Sequence, residues 1–90
     1  MTWTLTPDCL TREFHFPDFR AAWAFLSAVA AEAERCDHHP GIWNEYGYVR
    51  LELSTHDGAD RVTERDHRLA RAIDRIADAS GYSPSADVAA

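Results

Sequence analysis

The chain has 90 residues, a net charge of −6 and an apolar share of 46%, which fits one soluble globular domain. Acidity of this size argues against nonspecific nucleic-acid binding, which needs Lys and Arg to displace counterions from phosphates. No apolar run approaches the roughly 20 residues of a membrane span, and the start shows no basic-then-apolar secretory pattern, so a cytoplasmic protein with no membrane association is expected.

Trp3 and Leu5 alternate as a short strand, and Pro7-Asp8 signals a turn. Leu10 to Phe16 reads as the next strand, with Leu10, Phe14 and Phe16 on one face and Thr11, Glu13 and His15 on the other. Arg12 interrupts the apolar face and suggests a position near a strand edge. Asp18 is placed to N-cap a helix running to about Arg35 or Cys36. Its apolar stripe is read as Phe19, Ala22, Trp23, Leu26, Val29, Ala30 and Ala33. Phe25 falls off that stripe, as a subunit contact would require.

Pro40-Gly41 breaks the chain. Ile42 to Tyr46 and Tyr48 to Thr55 read as two strands joined at Gly47, and Val49, Leu51 and Leu53 alternate with Arg50, Glu52 and Ser54, as in a sheet with one face on the core. Asp57 to Asp60 reads as a loop. Thr63 caps a second helix with Leu69, Ala70, Ile73, Ile76 and Ala77 inward, and with Arg65, Arg68, Arg75 and Asp78 largely solvated. A Glu64–Arg68 pair would add a few tenths of a kcal/mol there. Gly81 suits the C-cap. The expected domain is residues 1–80, with 81–90 a loose tail.

The order β-β-α-β-β-α with short joints predicts an α+β fold, a four-stranded antiparallel sheet with both helices on one face. Its uncovered face and edges point to a homo-oligomer. Cys9 and Cys36 fit no metal or redox spacing and are expected as reduced thiols, although one disulfide stays open.

The chemistry-bearing residues are few. His38-His39-Pro40 sits where the first helix gives way to the third strand, and histidine can give and take a proton near neutrality. On its own, such a pair is more often a surface feature near a helix C-terminus. His56 closes the fourth strand, and alternation puts it on the polar face with Glu52 and Ser54. Asp66 stands at capping-box spacing from Thr63, and three and four residues before Leu69 and Ala70. It could receive the cap N–H, or point inward, where a buried carboxylate needs a partner such as histidine. A zinc site is not expected, since adjacent His38 and His39 are awkward ligands and no His-x-x-x-His pair occurs.

The ordered set Glu34-Arg35-Cys36-Asp37-His38-His39-Pro40, Tyr46, His56 and Asp66 resembles the signature of the pterin-4a-carbinolamine dehydratases. Phe14-His15-Phe16-Pro17-Asp18-Phe19, Ser54-Thr55-His56 and Thr63-Glu64-Arg65-Asp66 fit as well, so the resemblance covers about residues 3 to 79. It implies the same α+β fold, dimers or tetramers formed edge to edge, and dehydration of a 4a-hydroxytetrahydropterin to the quinonoid dihydropterin, linked to an aromatic amino-acid hydroxylase. It places the catalytic groups on His38, His39, His56 and Asp66, and the pterin contacts on Asp37 to His39 and Ser54 to Asp57 (Asp37, His38, His39, Ser54, Thr55, His56 and Asp57). No metal or other cofactor is implied, because no electrons enter or leave the substrate. His38 and His56 are the candidates for the two proton transfers, with His39 orienting and Asp66 supporting. The family usually carries a further helix ahead of the strand at Trp3, and the expected fold is without it. Dimerisation cofactors of transcription factors and Rubisco assembly proteins share the fold, so a non-catalytic or purely pterin-binding role is the alternative.

Overall fold

The computed structural model describes residues 3–56, 58 and 60–82. Its elements run β1 (Thr4–Leu5), β2 (Leu10–His15), α1 (Phe19–Cys36), β3 (Gly41–Glu45), β4 (Tyr48–Leu53), β5 (Thr55–His56), β6 (Asp60–Arg61) and α2 (Glu64–Ala79). The expected α+β fold is present: a four-stranded antiparallel sheet in the order β1-β2-β4-β3, with both helices on one face. Beyond Leu53 the chain leaves the main sheet, and β5 and β6 form a small ribbon that pairs Thr55 with Arg61 and His56 with Asp60. The expected loop is thus partly strand, and the fourth strand ends two residues early.

Strand alternation divides the sheet cleanly. Leu10 and Phe14 of β2 and Val49, Leu51 and Leu53 of β4 are buried under Ala22, Phe25, Leu26 and Val29 of α1 and Leu69, Ala70, Ile73 and Ala77 of α2. The opposite face carries Glu13, Tyr48, Arg50, Glu52 and Trp43. Tyr48 donates to Glu13 at 2.9 Å, and the Arg50 guanidinium lies 5.1 Å from the Trp43 ring centre.

Three expectations need correction. Phe25 is a core residue, 1% exposed, while Phe19 and Trp23 are 48% and 55% exposed and Ala30 is exposed too. Phe25 packs its ring 4.8 Å from Phe14 and 5.0 Å from Phe16, so the buried stripe is rotated from the one read off the sequence. Arg12 sits on a central strand, not an edge. It is buried, donates to Asp74 at 2.7 Å and lies 4.4 Å from the Phe14 ring centre. Asp74 also accepts from the Trp3 indole at 2.9 Å, and so ties α2 to the start of the sheet. Lastly, Glu64 pairs with Arg71, at 2.8 Å, rather than with Arg68.

The helix boundaries follow their caps. Asp18 accepts from the Ala21 N–H at 2.9 Å and opens α1. At the end of α2, Gly81 has φ 80°, its N–H reaches the Asp78 carbonyl, and the Tyr82 N–H reaches that of Ala77, a Schellman motif. This brings Tyr82 back over the core, 5.4 Å from Phe14 and 5.0 Å from Phe16, where its hydroxyl accepts the His15 N–H. Ordered packing therefore reaches Tyr82; the rest of the expected tail, residues 83–90, lies outside the described residues. Gly47 is required between β3 and β4, since a Cβ there would meet the Phe16 carbonyl oxygen at 2.1 Å. Cys9 and Cys36 are both free thiols.

Candidate active site

The site begins with the end of α1. Asp37 adopts the left-handed conformation, φ 52° and ψ 46°, which a short polar side chain tolerates better than most. Its N–H reaches the Glu34 carbonyl, and the His38 N–H reaches that of Ala33 at 3.1 Å. The reversal folds His38 back under the helix, where it is 8% exposed. His39 then points the other way, with 54% of its side chain exposed and Nε2 at 2.5 Å from Glu34 Oε2.

Asp66 resolves both readings offered by its sequence position. Its Oδ2 accepts the Thr63 N–H at 2.9 Å, the back half of a capping box, and the Thr55 hydroxyl at 2.8 Å. Its Oδ1 is 2.6 Å from His38 Nε2, and the residue is fully buried. Burial alone would raise this carboxyl; the hydrogen bonds from His38, the Thr63 backbone and Thr55 outweigh it and hold the group below the ordinary aspartate range. Thr55 also shares a 2.7 Å hydrogen bond with Thr63. A carboxylate can only accept, so His38 donates from Nε2, and its Nδ1 makes no hydrogen bond among the described residues.

His56 is the outward neighbour of Thr55 on β5. Its side chain is 69% exposed, and Nδ1 lies 2.6 Å from Asp60 Oδ1 across the β5–β6 ribbon. That contact commits Nδ1 and leaves Nε2 facing solvent. His56 and His39 line one cavity of about 280 Å³, together with Asp8, Cys9, Glu52 and Ser54. The placement of His56 beside Glu52 and Ser54 is the one strand alternation predicts. Ser54 Oγ is buried without a hydrogen-bond partner among the described residues.

Two dipeptides thus cross at the end of the sheet. His38-His39 and Thr55-His56 each send one side chain inward to Asp66 and one outward to the cavity. His38 and Asp66 are brought together directly, and His39 and His56 share a cavity. His38 instead lines a separate cleft between α1 and α2. Asp37 contributes its left-handed backbone and a carbonyl that accepts from Arg65 at 2.9 Å. Tyr46 occupies the β3–β4 turn at φ 52° and is exposed. Asp57 lies outside the described residues. Sequence reasoning missed Glu34 and Asp60 as histidine partners and Thr55 as a donor to Asp66. The four-residue spacing of Asp60 from His56 was the available signal, but it carries no meaning until the ribbon forms.

His38, His39 and His56, each held by a carboxylate, gather at one end of the α+β sheet as a candidate site for proton transfer. The family model for pterin 4 alpha carbinolamine dehydratase matches residues 1–76, and the chain belongs to that family. A relative from Burkholderia vietnamiensis, provisionally named a pterin-4-alpha-carbinolamine dehydratase, is 46% identical over 76 residues, covering 82% of this chain and 74% of its own. One from Paraburkholderia xenovorans with the same provisional name is 49% identical over 69 residues, covering 77% and 71%. Among solved structures, a transcriptional coactivator/pterin dehydratase from Brucella melitensis superposes with a TM-score of 0.78 at 39% identity, over 83% of this chain and 81% of that one. A pterin dehydratase-like RuBisCO assembly factor of the alpha-carboxysome superposes with a TM-score of 0.71 at 27% identity, over 92% and 94%.

Proposed function

We propose that this protein dehydrates a 4a-hydroxytetrahydropterin to the quinonoid dihydropterin and water, as part of tetrahydropterin recycling. The observation that carries the reading is the buried His38–Asp66 pair, adjoined in sequence by His39 and hydrogen-bonded by Thr55, the neighbour of His56. Loss of hydroxide from C4a needs a proton on the departing oxygen, and a ring N–H must give up its proton as the quinonoid system forms. Positioned imidazoles can supply both transfers, each worth about 10²–10⁴-fold.

His38, anchored by Asp66 at Nε2, takes the ring proton at Nδ1, which requires the pterin to reach from the cavity of His39 and His56 to the cleft that His38 lines, and the buried carboxylate stabilises the imidazolium that results. His56, with Nδ1 held by Asp60, delivers a proton from Nε2 to the leaving hydroxyl. His39 orients the pterin, and Asp37, Ser54, Thr55 and Asp57 complete its surroundings. The net change is loss of one water, with no electron transferred. The chemistry calls for no metal or redox cofactor. A homodimer or homotetramer formed through the sheet edges, a cytoplasmic setting and a functional link to an aromatic amino-acid hydroxylase complete the proposal. No helix among the described residues is long and apolar enough to cross a membrane.

A second reading, an assembly or dimerisation protein without turnover, is favoured by the likeness to the RuBisCO assembly factor over nearly the whole chain. Stopped-flow dehydration of a freshly generated 4a-hydroxytetrahydropterin separates the two. The dehydratase reading expects acceleration in proportion to protein concentration. A rate equal to the buffer background would overturn the dehydratase reading.

A further inference from the structure

The chain is acidic overall, yet its basic residues are unevenly spread. All nine are arginines. Four of them, Arg35, Arg65, Arg68 and Arg75, line one cleft of about 300 Å³ between α1 and α2, against a single lining carboxylate, Glu32. Arg35 is committed to Glu32 through contacts of 3.1 and 2.5 Å, and Arg65 to the Asp37 carbonyl. Arg68 and Arg75 make no direct hydrogen bond or ion pair among the described residues. The hydrogen bond from Arg35 holds the Glu32 carboxyl below its ordinary range against a smaller effect of burial, and Arg75 adds to the same field.

Guanidiniums gathered around a concavity repel one another, and a ligand with several anionic oxygens relieves that repulsion. Their planar forks also match phosphate in geometry. The cleft is large enough for a phosphate or a diphosphate, and it is walled on one side by His38, the imidazole bound to Asp66.

We infer that the cleft between α1 and α2 is a binding site for a phosphate-type anion, seated on Arg68 and Arg75 and coupled to the active site through His38. The anion is either a free phosphate compound or the phosphorylated side chain of the pterin itself. The coupling to His38 rests on the dehydratase reading; anion binding does not.

Thermal unfolding of the full chain at constant ionic strength tests the binding, with inorganic pyrophosphate as the probe and sodium chloride as the reference. Saturating pyrophosphate is expected to raise Tm by about 4 °C or more, because a ligand that binds only the folded state stabilises it by mass action. The Arg68→Gln/Arg75→Gln double variant is expected to lose the gain, and Arg20→Gln, on the exposed face of α1, to keep it. No gain over chloride, or an equal gain in the double variant, would overturn the site.

Kinetics then distinguish the two sources. If the anion belongs to the substrate, a side-chain-phosphorylated pterin shows a KM about ten-fold below that of a neutral one, and the double variant removes the difference. If it is a separate compound, the two pterins match, and pyrophosphate changes the turnover of the neutral pterin in the wild type alone. A Tm gain with neither response would overturn the coupling to His38. Absence of all turnover beside a retained Tm gain would overturn the dehydratase reading and leave the anion site standing.

Discussion

The two halves of the site are built from the same residue pair, histidine with a carboxylate, in opposite environments. His38–Asp66 lies inside the domain, where, among the described residues, Asp66 accepts from His38, Thr55 and the Thr63 backbone. His56–Asp60 and His39–Glu34 lie on the surface, where water competes for each contact and the pairs contribute little to folding. On the dehydratase reading, chemistry and stability are inseparable in the inner half and separate in the outer half. Substitutions can sharpen or break that contrast.

The largest effect is expected for His38→Ala. Turnover of the 4a-hydroxypterin should fall about 10²–10⁴-fold, and the buried Asp66 carboxylate loses the hydrogen bond from His38 Nε2, so urea unfolding should show a stability loss as well. Asp66→Ala removes the acceptor of the His38 imidazole, the Thr55 hydroxyl and the Thr63 N–H and should cost about 3 kcal/mol or more in the same unfolding assay, roughly 1 kcal/mol or more for each orphaned donor. A loss below about 1 kcal/mol would mean that the buried cluster is not held as described. Thr55→Val removes one hydroxyl that serves both Asp66 and Thr63, and should cost about 1–3 kcal/mol. At the small end, His56→Ala and His39→Ala should leave stability within about 0.5 kcal/mol of wild type. His56→Ala should reduce mainly kcat, and His39→Ala mainly raise KM. Equal unfolding losses for inner and outer histidines would erase the distinction.

The contrast also has a pH signature. Asp66 titrates below its unfolded value, so its contribution is fully present above the ordinary aspartate range, near pH 4, and is lost as the pH falls through the lower folded value. Acid unfolding of Asp66→Asn should therefore be flatter below about pH 4 than that of wild type. Parallel acid limbs would contradict the assignment.

Much of the fold was legible from period and punctuation. The β-β-α-β-β-α order, the Asp18 cap, the alternation of Val49, Leu51 and Leu53, and the Gly81 terminus all follow local rules that the folded chain obeys. What escaped depended on distant partners. Phe25 was misplaced because an alanine-rich helix offers two apolar faces, and only the Phe14–Phe16 surface decides which is buried. Arg12 was misplaced because its partner Asp74 is 62 residues away. Tyr82 lacked an apolar neighbourhood in sequence, and its packing is set by the backbone reversal at Gly81. In the site, His38, His39, His56 and Asp66 were all legible as candidates from their ordered spacing. Their division into inner and outer halves was not, since the direction of each histidine is fixed by the left-handed Asp37 and by the departure of β5 from the main sheet.

Single-turnover kinetics on a 4a-hydroxytetrahydropterin, comparing wild type with His38→Ala, His39→Ala and His56→Ala, test the central claim most directly. The account predicts that the wild type accelerates dehydration and that His38→Ala and His56→Ala each lose about 10²–10⁴-fold. Unchanged turnover in all three variants would contradict it.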